Sequence, residues 1–242
     1  MRFNEWMRRL SQRFGIDFVR WPEHEPLWHV AHLLEYHKVE HVIDVGANCG
    51  EYAWTLRKLG YDGSISSYEP LGEPYRKMAI RASRDGRWST KALAMGSFEG
   101  EVEINVAANS GASSSILPML PLHNSAAPDA HFVGKERVQQ STLDRELKRD
   151  PMNTDRKFLK LDVQGYEKDV LAGGPTLLND PSLVGLQMEM SLRPLYADAW
   201  TFPQALDWAS GRSFGLVRLI PGFTDPRSGA MLQCDGVFIR TS

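Results

Sequence analysis

The chain has 242 residues, enough for one α/β domain with additions, and its 42% hydrophobic content can fill a sizeable core. A net charge of −2 gives no electrostatic case for nucleic acid, and two cysteines, Cys49 and Cys234, build no disulfide framework, so a reducing, cytoplasmic setting is expected. No apolar run reaches the length of a membrane span and no signal peptide is visible.

In chain order, the first predicted element is an amphipathic helix over 2–14. Phe3, Trp6, Met7, Leu10 and Phe14 recur at helical spacing among Arg2, Arg8, Arg9 and Arg13. Such a helix is expected to pack on its own domain or on a partner subunit in a homo-oligomer; lying on an anionic membrane surface is the alternative. A second helix is predicted at 26–37, so residues 1–40 read as an N-terminal helical extension before a domain at 41–242. Five histidines, His24, His29, His32, His37 and His41, fall in this region. Without cysteines or an HExxH pattern beside them, they read as a solvated helix face rather than a metal site.

Residues 42–50, Val-Ile-Asp-Val-Gly-Ala-Asn-Cys-Gly, are the most informative stretch. Val42, Ile43 and Val45 mark a buried strand (41–46), Gly46 and Gly50 permit a sharp turn, and a helix is predicted over 51–60. Strand, glycine turn and helix form the usual cradle of a nucleotide-like cofactor. A dinucleotide fingerprint wants Gly-x-Gly-x-x-Gly, but Asn48 replaces the middle glycine. Asp44, an acid inside the strand, repels phosphate and suits a cation such as the ammonium of a methionine moiety. Both features favour S-adenosylmethionine over NAD. Strand 64–69 follows, ending in Glu69 before Pro70, about 20 residues beyond the turn, where a carboxylate can accept both ribose hydroxyls.

Further elements are a helix near 72–84, a strand at 89–94, a turn at Gly96–Gly100 and an alternating strand at 101–107. A loop of Asn, Ser, Ala and Pro runs over 109–131, long enough to be a lid, and carries His123 and His131 as possible bases. Strand 136–141, a short capped helix at 142–149 and strand 157–163 come next. A helix then runs to Leu171 and closes at Gly173-Gly174-Pro175. Strand 183–190, helix 203–211 and strands 213–220 and 231–240 complete the chain, without an internal repeat. Strands alternating with helices imply a doubly wound, mostly parallel sheet with an antiparallel C-terminal edge strand. Ligands of such sheets sit at the carboxyl ends of the strands. Asp162 and Glu189, acids at two of those ends, are therefore the candidate catalytic pair, with Glu167 read as a first-turn helix acid. The chain has no Gly-x-Ser-x-Gly elbow, no Walker loop and no short-chain-dehydrogenase tyrosine–lysine pair.

Together VIDVGANCGEYA, SYEP, ALAMGSFEG, the serine cluster SSS, STLD, FLKLDVQGYEKDVLAGG, LQMEMSLRPLY and DGVFIR, spread over residues 42–240, resemble the FkbM family of S-adenosylmethionine-dependent methyltransferases. The resemblance implies a class I methyltransferase (Rossmann-like) fold. It also implies O-methylation of a hydroxyl on a small-molecule acceptor, a sugar or a polyketide-type natural product. By motif position, Asp44, Gly46, Asn48, Gly50 and Tyr52 are expected to line the methionine end of the cofactor, Glu69 to hold the ribose, and Ala94 and Met95 to border the adenine. Asp162, with Gly165 and Glu167, is expected beside the transferred methyl. Ser97 departs from the acid or amide common in that family. An NAD-dependent oxidoreductase and a non-catalytic scaffold are the alternatives, and metal assistance stays open because a carboxylate matches an alcohol pKa poorly.

Overall fold

A computed structural model describes residues 7, 10–15, 21–22, 24–151 and 156–241. Most of the predicted 2–14 helix lies outside the described residues; within it, 10–12 are helical.

The apolar strands assemble into a seven-stranded sheet in the order β3-β2-β1-β7-β8-β10-β9. Its members are β1 (His41–Val45), β2 (Ser64–Tyr68), β3 (Trp88–Lys91), β7 (Lys157–Leu161), β8 (Leu183–Ser191), β9 (Phe214–Pro221) and β10 (Gln233–Arg240). The first five pair in parallel, as continuous buried runs such as His41–Val45 and Lys157–Leu161 require when both faces are covered. The C-terminal strand β10 is antiparallel to both neighbours and lies one place in from the edge occupied by β9.

Helices cover both faces. On one face α1 (Trp28–Tyr36), α2 (Glu51–Lys58) and α3 (Gly72–Ala82) bury Val30, Leu34, Ala53, Leu56 and Met78 against Val42, Phe158 and Val237. Thus α1 shares the core of the sheet rather than standing apart from it. On the other face α5 (Leu143–Lys148), α6 (Glu167–Ala172), α7 (Pro175–Asn179) and α8 (Phe202–Ser210) pack on Ile43, Val45, Leu159 and Met188.

The structure differs from the sequence reading most in two regions. The predicted strand 89–94 is divided: β3 stays in the main sheet, and the chain then enters β4 (Ala94–Met95), which joins β5 (Gly100–Ala107) and β6 (Phe132–Ser141) in a separate three-stranded sheet. The predicted open loop 109–131 is folded, with α4 (Pro121–Ala126), a 3-10 turn at Pro128–Ala130, and isolated bridges Asn105↔Ser115 and Met119↔Tyr196. Its polar composition hides a satellite core of Ala126, Leu195, Tyr196 and Leu232. Among the described residues no helix is long and apolar enough to cross a membrane.

Candidate active site

Strand order reverses between β1 and β7, and a cavity of about 420 Å³ opens at the carboxyl ends of these strands. Its wall runs from Leu71, Leu93, Ala94, Met95 and Ile104 at one end, past Gly46, Asn48 and Glu69, to Tyr52, Lys160, Asp162, Gln187 and Asp235. The first group is apolar and suits a flat heterocycle. The last group is polar.

The glycine turn is built as its residues demand. Gly46 has φ +72°, and a Cβ there would fall 1.8 Å from the Asp162 carbonyl oxygen, so only glycine lets the β1 and β7 loops meet beside the cavity. Asn48 also has a positive φ, and its backbone N–H donates to Glu69 Oε2 at 2.9 Å. Leu71 N–H donates to Glu69 Oε1 at 2.9 Å. Glu69 is thereby clamped in the wall, where burial pushes its carboxyl up to about 7 despite the two backbone donors. Gly50 caps α2 at φ +78° and packs on Trp88 and Met78, away from the cavity wall. Cys49 is half-buried beside it.

Asp44 requires a correction. Expected to line the methionine end of the cofactor, it lies beneath the cavity and not in its wall. It is fully buried, accepts a hydrogen bond from Ser67 Oγ at 3.0 Å, and pairs with Lys160 Nζ at 3.1 Å. A buried carboxylate needs such a partner, and Lys160 faces it directly in the β1–β7 register. Ser67, Asp44, Lys160 and Gln187 form one polar row across β2, β1, β7 and β8. Burial alone would lower the Lys160 ammonium, but Asp44 and Asp162 more than offset it and hold the group above its ordinary value. Lys160 also donates to the Gly46 carbonyl at 3.0 Å, tying the row to the turn above it.

The β7 end is equally knit. Gln164, at φ +54°, donates from Nε2 to Asp162 Oδ1 and to Glu189 Oε2, each at 2.9 Å, and its Oε1 accepts from Tyr196 Oη at 2.9 Å. Asp162 lines the cavity. Glu189 does not: its carboxylate sits behind Gln164 and also accepts from Gln233 at 2.7 Å. Burial, then the charges of Asp162, Glu167 and Asp235, push Glu189 well above its ordinary value. A direct role of Glu189 on a substrate therefore lacks the contact it needs. Glu167 is likewise buried. It accepts from Val163 and Gly165 N–H at 3.1 and 3.3 Å and holds the turn, with its carboxyl pushed up to about 7 by burial.

The histidines lie elsewhere. His123 is buried against Tyr196 and Phe223, and His131 is exposed with Nδ1 on the Pro128 carbonyl; neither lines the cavity. His41 starts β1 at the end opposite the cavity, bonded to Ser66 Oγ at 2.9 Å, and is buried rather than solvated. Among the described residues no group of three or more His, Cys, Asp or Glu could hold a metal ion.

Lys160, Gln187 and Asp235 are among the wall residues that the sequence reading missed, as are Leu71, Leu93, Ile104 and Gln164. Tyr52 Oη donates to Gln187 Oε1 at 3.1 Å, and Gln187 Nε2 donates to Asp235 Oδ2 at 2.9 Å. For the first three, the only sequence signals were a lysine and a glutamine inside buried strands and an acid between Cys234 and Gly236.

The cavity thus offers an apolar slot, a clamped carboxylate for a diol and a glycine turn of close approach, which together fit an adenosine-bearing methyl donor. Among curated proteins none matches the chain significantly. Similar solved structures include the methyltransferase domain of bacterial CtHen1, at 14% identity, 89% of this chain, 97% of that chain and a TM-score of 0.47. Another is the 1,6-didemethyltoxoflavin-N1-methyltransferase of Burkholderia thailandensis, at 13% identity, 92% and 81% coverage and a TM-score of 0.44. A third is an S-adenosylmethionine-dependent methyltransferase from Aquifex aeolicus, at 12% identity, 91% and 94% coverage and a TM-score of 0.42. The family model described as the methyltransferase FkbM domain matches residues 44–215. Spanning both the glycine turn and the β7 end, that match shows that this chain belongs to the FkbM methyltransferase family.

Proposed function

We propose that this methyltransferase moves a methyl group from S-adenosylmethionine to a hydroxyl oxygen of a small-molecule acceptor of the sugar or natural-product kind. The observation that carries the reading is Glu69, clamped by Asn48 and Leu71 N–H groups in the cavity wall beside Gly46. When bound, the donor supplies an electrophilic methyl on a sulfonium that is already a good leaving group. The chain's own residues then bind, orient and exclude water. Glu69 takes the ribose hydroxyls. Leu71, Leu93, Ala94, Met95 and Ile104 cover the adenine. Gly46 and Asn48 present backbone to the methionine end. Fixing donor and acceptor in one geometry can supply roughly 7–11 kcal/mol of the barrier in favourable cases. The polar far wall of Tyr52, Gln187, Lys160, Asp162 and Asp235 suits an acceptor rich in hydroxyls better than a flat hydrocarbon.

Calorimetric titration with S-adenosylmethionine, S-adenosylhomocysteine and NAD tests the donor: uptake of the first two and not the third is expected, and uptake of NAD alone overturns the reading. A labelled-methyl assay over sugars, catechols and amines tests the acceptor; label transferred only to amines overturns the O-methyl assignment.

A further inference from the structure

Asp235 lies at the end of the cavity farthest across the sheet from Glu69, because β10 is separated from β2 by β1, β7 and β8. Its placement is over-determined. Burial, with Asp44 and Asp235 nearby, keeps the Tyr52 phenol protonated, so its hydroxyl donates to Gln187 Oε1. That bond fixes the amide with Nε2 toward Asp235, whose Oδ2 accepts at 2.9 Å. Among the described residues Asp235 Oδ1 has no hydrogen-bond partner. A largely buried carboxylate on a residue that lines the cavity, with one oxygen tethered, has the other left to take a ligand donor.

The other carboxylates of the wall are already engaged. Glu69 accepts a backbone N–H on each oxygen and gives its remaining lone pairs to the donor's ribose. Asp162 Oδ1 accepts from Gln164, and its Oδ2 faces Lys160 at 3.8 Å. Glu51 is exposed and paired with Arg81.

Resting on the reading of the cavity as a methyl-donor site, we propose that Asp235 receives the acceptor hydroxyl and takes its proton, with Gln187 and Tyr52 positioning its carboxylate. The acceptor O–H bond breaks and its proton passes to Asp235 Oδ1. The oxygen forms the new C–O bond while the methyl C–S bond breaks and leaves its electron pair on sulfur. Burial and the neighbouring Asp162 push the Asp235 carboxyl up to about 6, against Gln187 and Lys160, which makes it ionised at neutral pH yet a stronger base than an ordinary aspartate. The charged or titratable groups facing it are Lys160 of β7, Asp162 just beyond β7, Glu189 of β8 and Tyr52 of α2.

The test needs no knowledge of the acceptor. Sinefungin carries a protonated amine in place of the transferred methyl, on a carbon that replaces the sulfur, whereas S-adenosylhomocysteine has a bare sulfur with nothing in the methyl position. Calorimetry of the purified full chain with each probe is compared for wild type, Asp235→Asn and Asp162→Asn. Expected is a loss of at least about tenfold in sinefungin affinity for Asp235→Asn, the effect of one charged hydrogen bond, with S-adenosylhomocysteine changed less than about twofold. Equal losses for both probes, no loss, or a sinefungin-selective loss in Asp162→Asn instead, overturns the proposal. If Asp235→Asn does not fold, the wild type alone decides. Its preference for sinefungin over S-adenosylhomocysteine is expected to fall as pH drops from 7.5 to 5 and the carboxylate protonates, with Glu69 cancelling because both probes share the ribose. A preference constant over that range overturns it. A wild type that binds neither probe instead removes the donor-site reading itself.

Discussion

Lys160 and Asp44 face each other across β7 and β1 at 3.1 Å, both buried, with Lys160 also donating to the Gly46 carbonyl. The cavity floor is therefore electrically balanced before any ligand arrives, and the turn above it is held by the same ammonium.

Removing one half of that pair strands the other. Lys160→Met is expected to lower unfolding free energy by about 3–5 kcal/mol, because Asp44 is left charged in the core. The double variant Asp44→Asn/Lys160→Met should recover part of the loss. Urea titrations of the wild type, both single variants (Lys160→Met and Asp44→Asn) and the double variant measure the coupling; additive losses would show that the two groups do not act as a pair.

Gly46→Ala places a methyl on the Asp162 carbonyl at a backbone angle that L residues rarely adopt. A loss of at least about 1–3 kcal/mol in stability is expected, with S-adenosylhomocysteine binding abolished. Thermal unfolding with and without that probe checks both, and a variant that is still stabilised by the probe contradicts the assigned close approach.

The raised carboxyls of Glu69 and Glu167 set a pH dependence. Both lie at about 7 in the folded chain against an ordinary 4.5. Between these values the folded state binds more protons than the unfolded one, so the stability of the unliganded protein should fall as pH rises from about 4.5 to 7. Each group accounts for about 3 kcal/mol at most. Glu167→Gln keeps an oxygen for Val163 and Gly165 N–H and should flatten that slope. Donor affinity runs the other way: an ionised Glu69 accepts the ribose hydroxyls, so binding of S-adenosylhomocysteine should strengthen through pH 7, and Glu69→Gln should weaken it and remove the trend.

Glu189→Gln should change S-adenosylhomocysteine affinity less than about twofold, since the side chain lies behind Gln164 and a neutral group suits a site that already favours protonation. Glu189→Leu, which strands the Gln164 and Gln233 amides, should cost about 1–3 kcal/mol by urea unfolding. A strong binding defect in Glu189→Gln would place this residue at the ligand after all.

Much of the frame was legible because β1 with its glycine turn and β7 with Gly165 carry local signals: buried apolar runs broken by glycines at positive φ. Glu69 was legible by its distance from the turn. Asp44 was misread because its partner sits on a strand remote in sequence, and local pattern cannot tell a ligand-facing acid from one neutralised by a neighbouring strand. The break between β3 and β4 is set by which sheet Ala94 pairs into, a tertiary choice. The 109–131 segment looked open because its apolar residues are spaced among serines and prolines, yet they meet Leu195, Tyr196 and Leu232 from far along the chain. Asp235 gave little sign of itself, since its meaning comes from Gln187 on the adjacent strand.

The position of β10 between β8 and β9 has a consequence for biogenesis. Strand β9 is synthesised first yet has no neighbour in the sheet until β10 arrives, because β10 alone joins it to β8. A premature stop before Gln233 would leave the flank of β8 bare, Met188 and Met190 included, and β9 an orphan ribbon. Such truncated chains should aggregate rather than persist as a smaller, half-active enzyme.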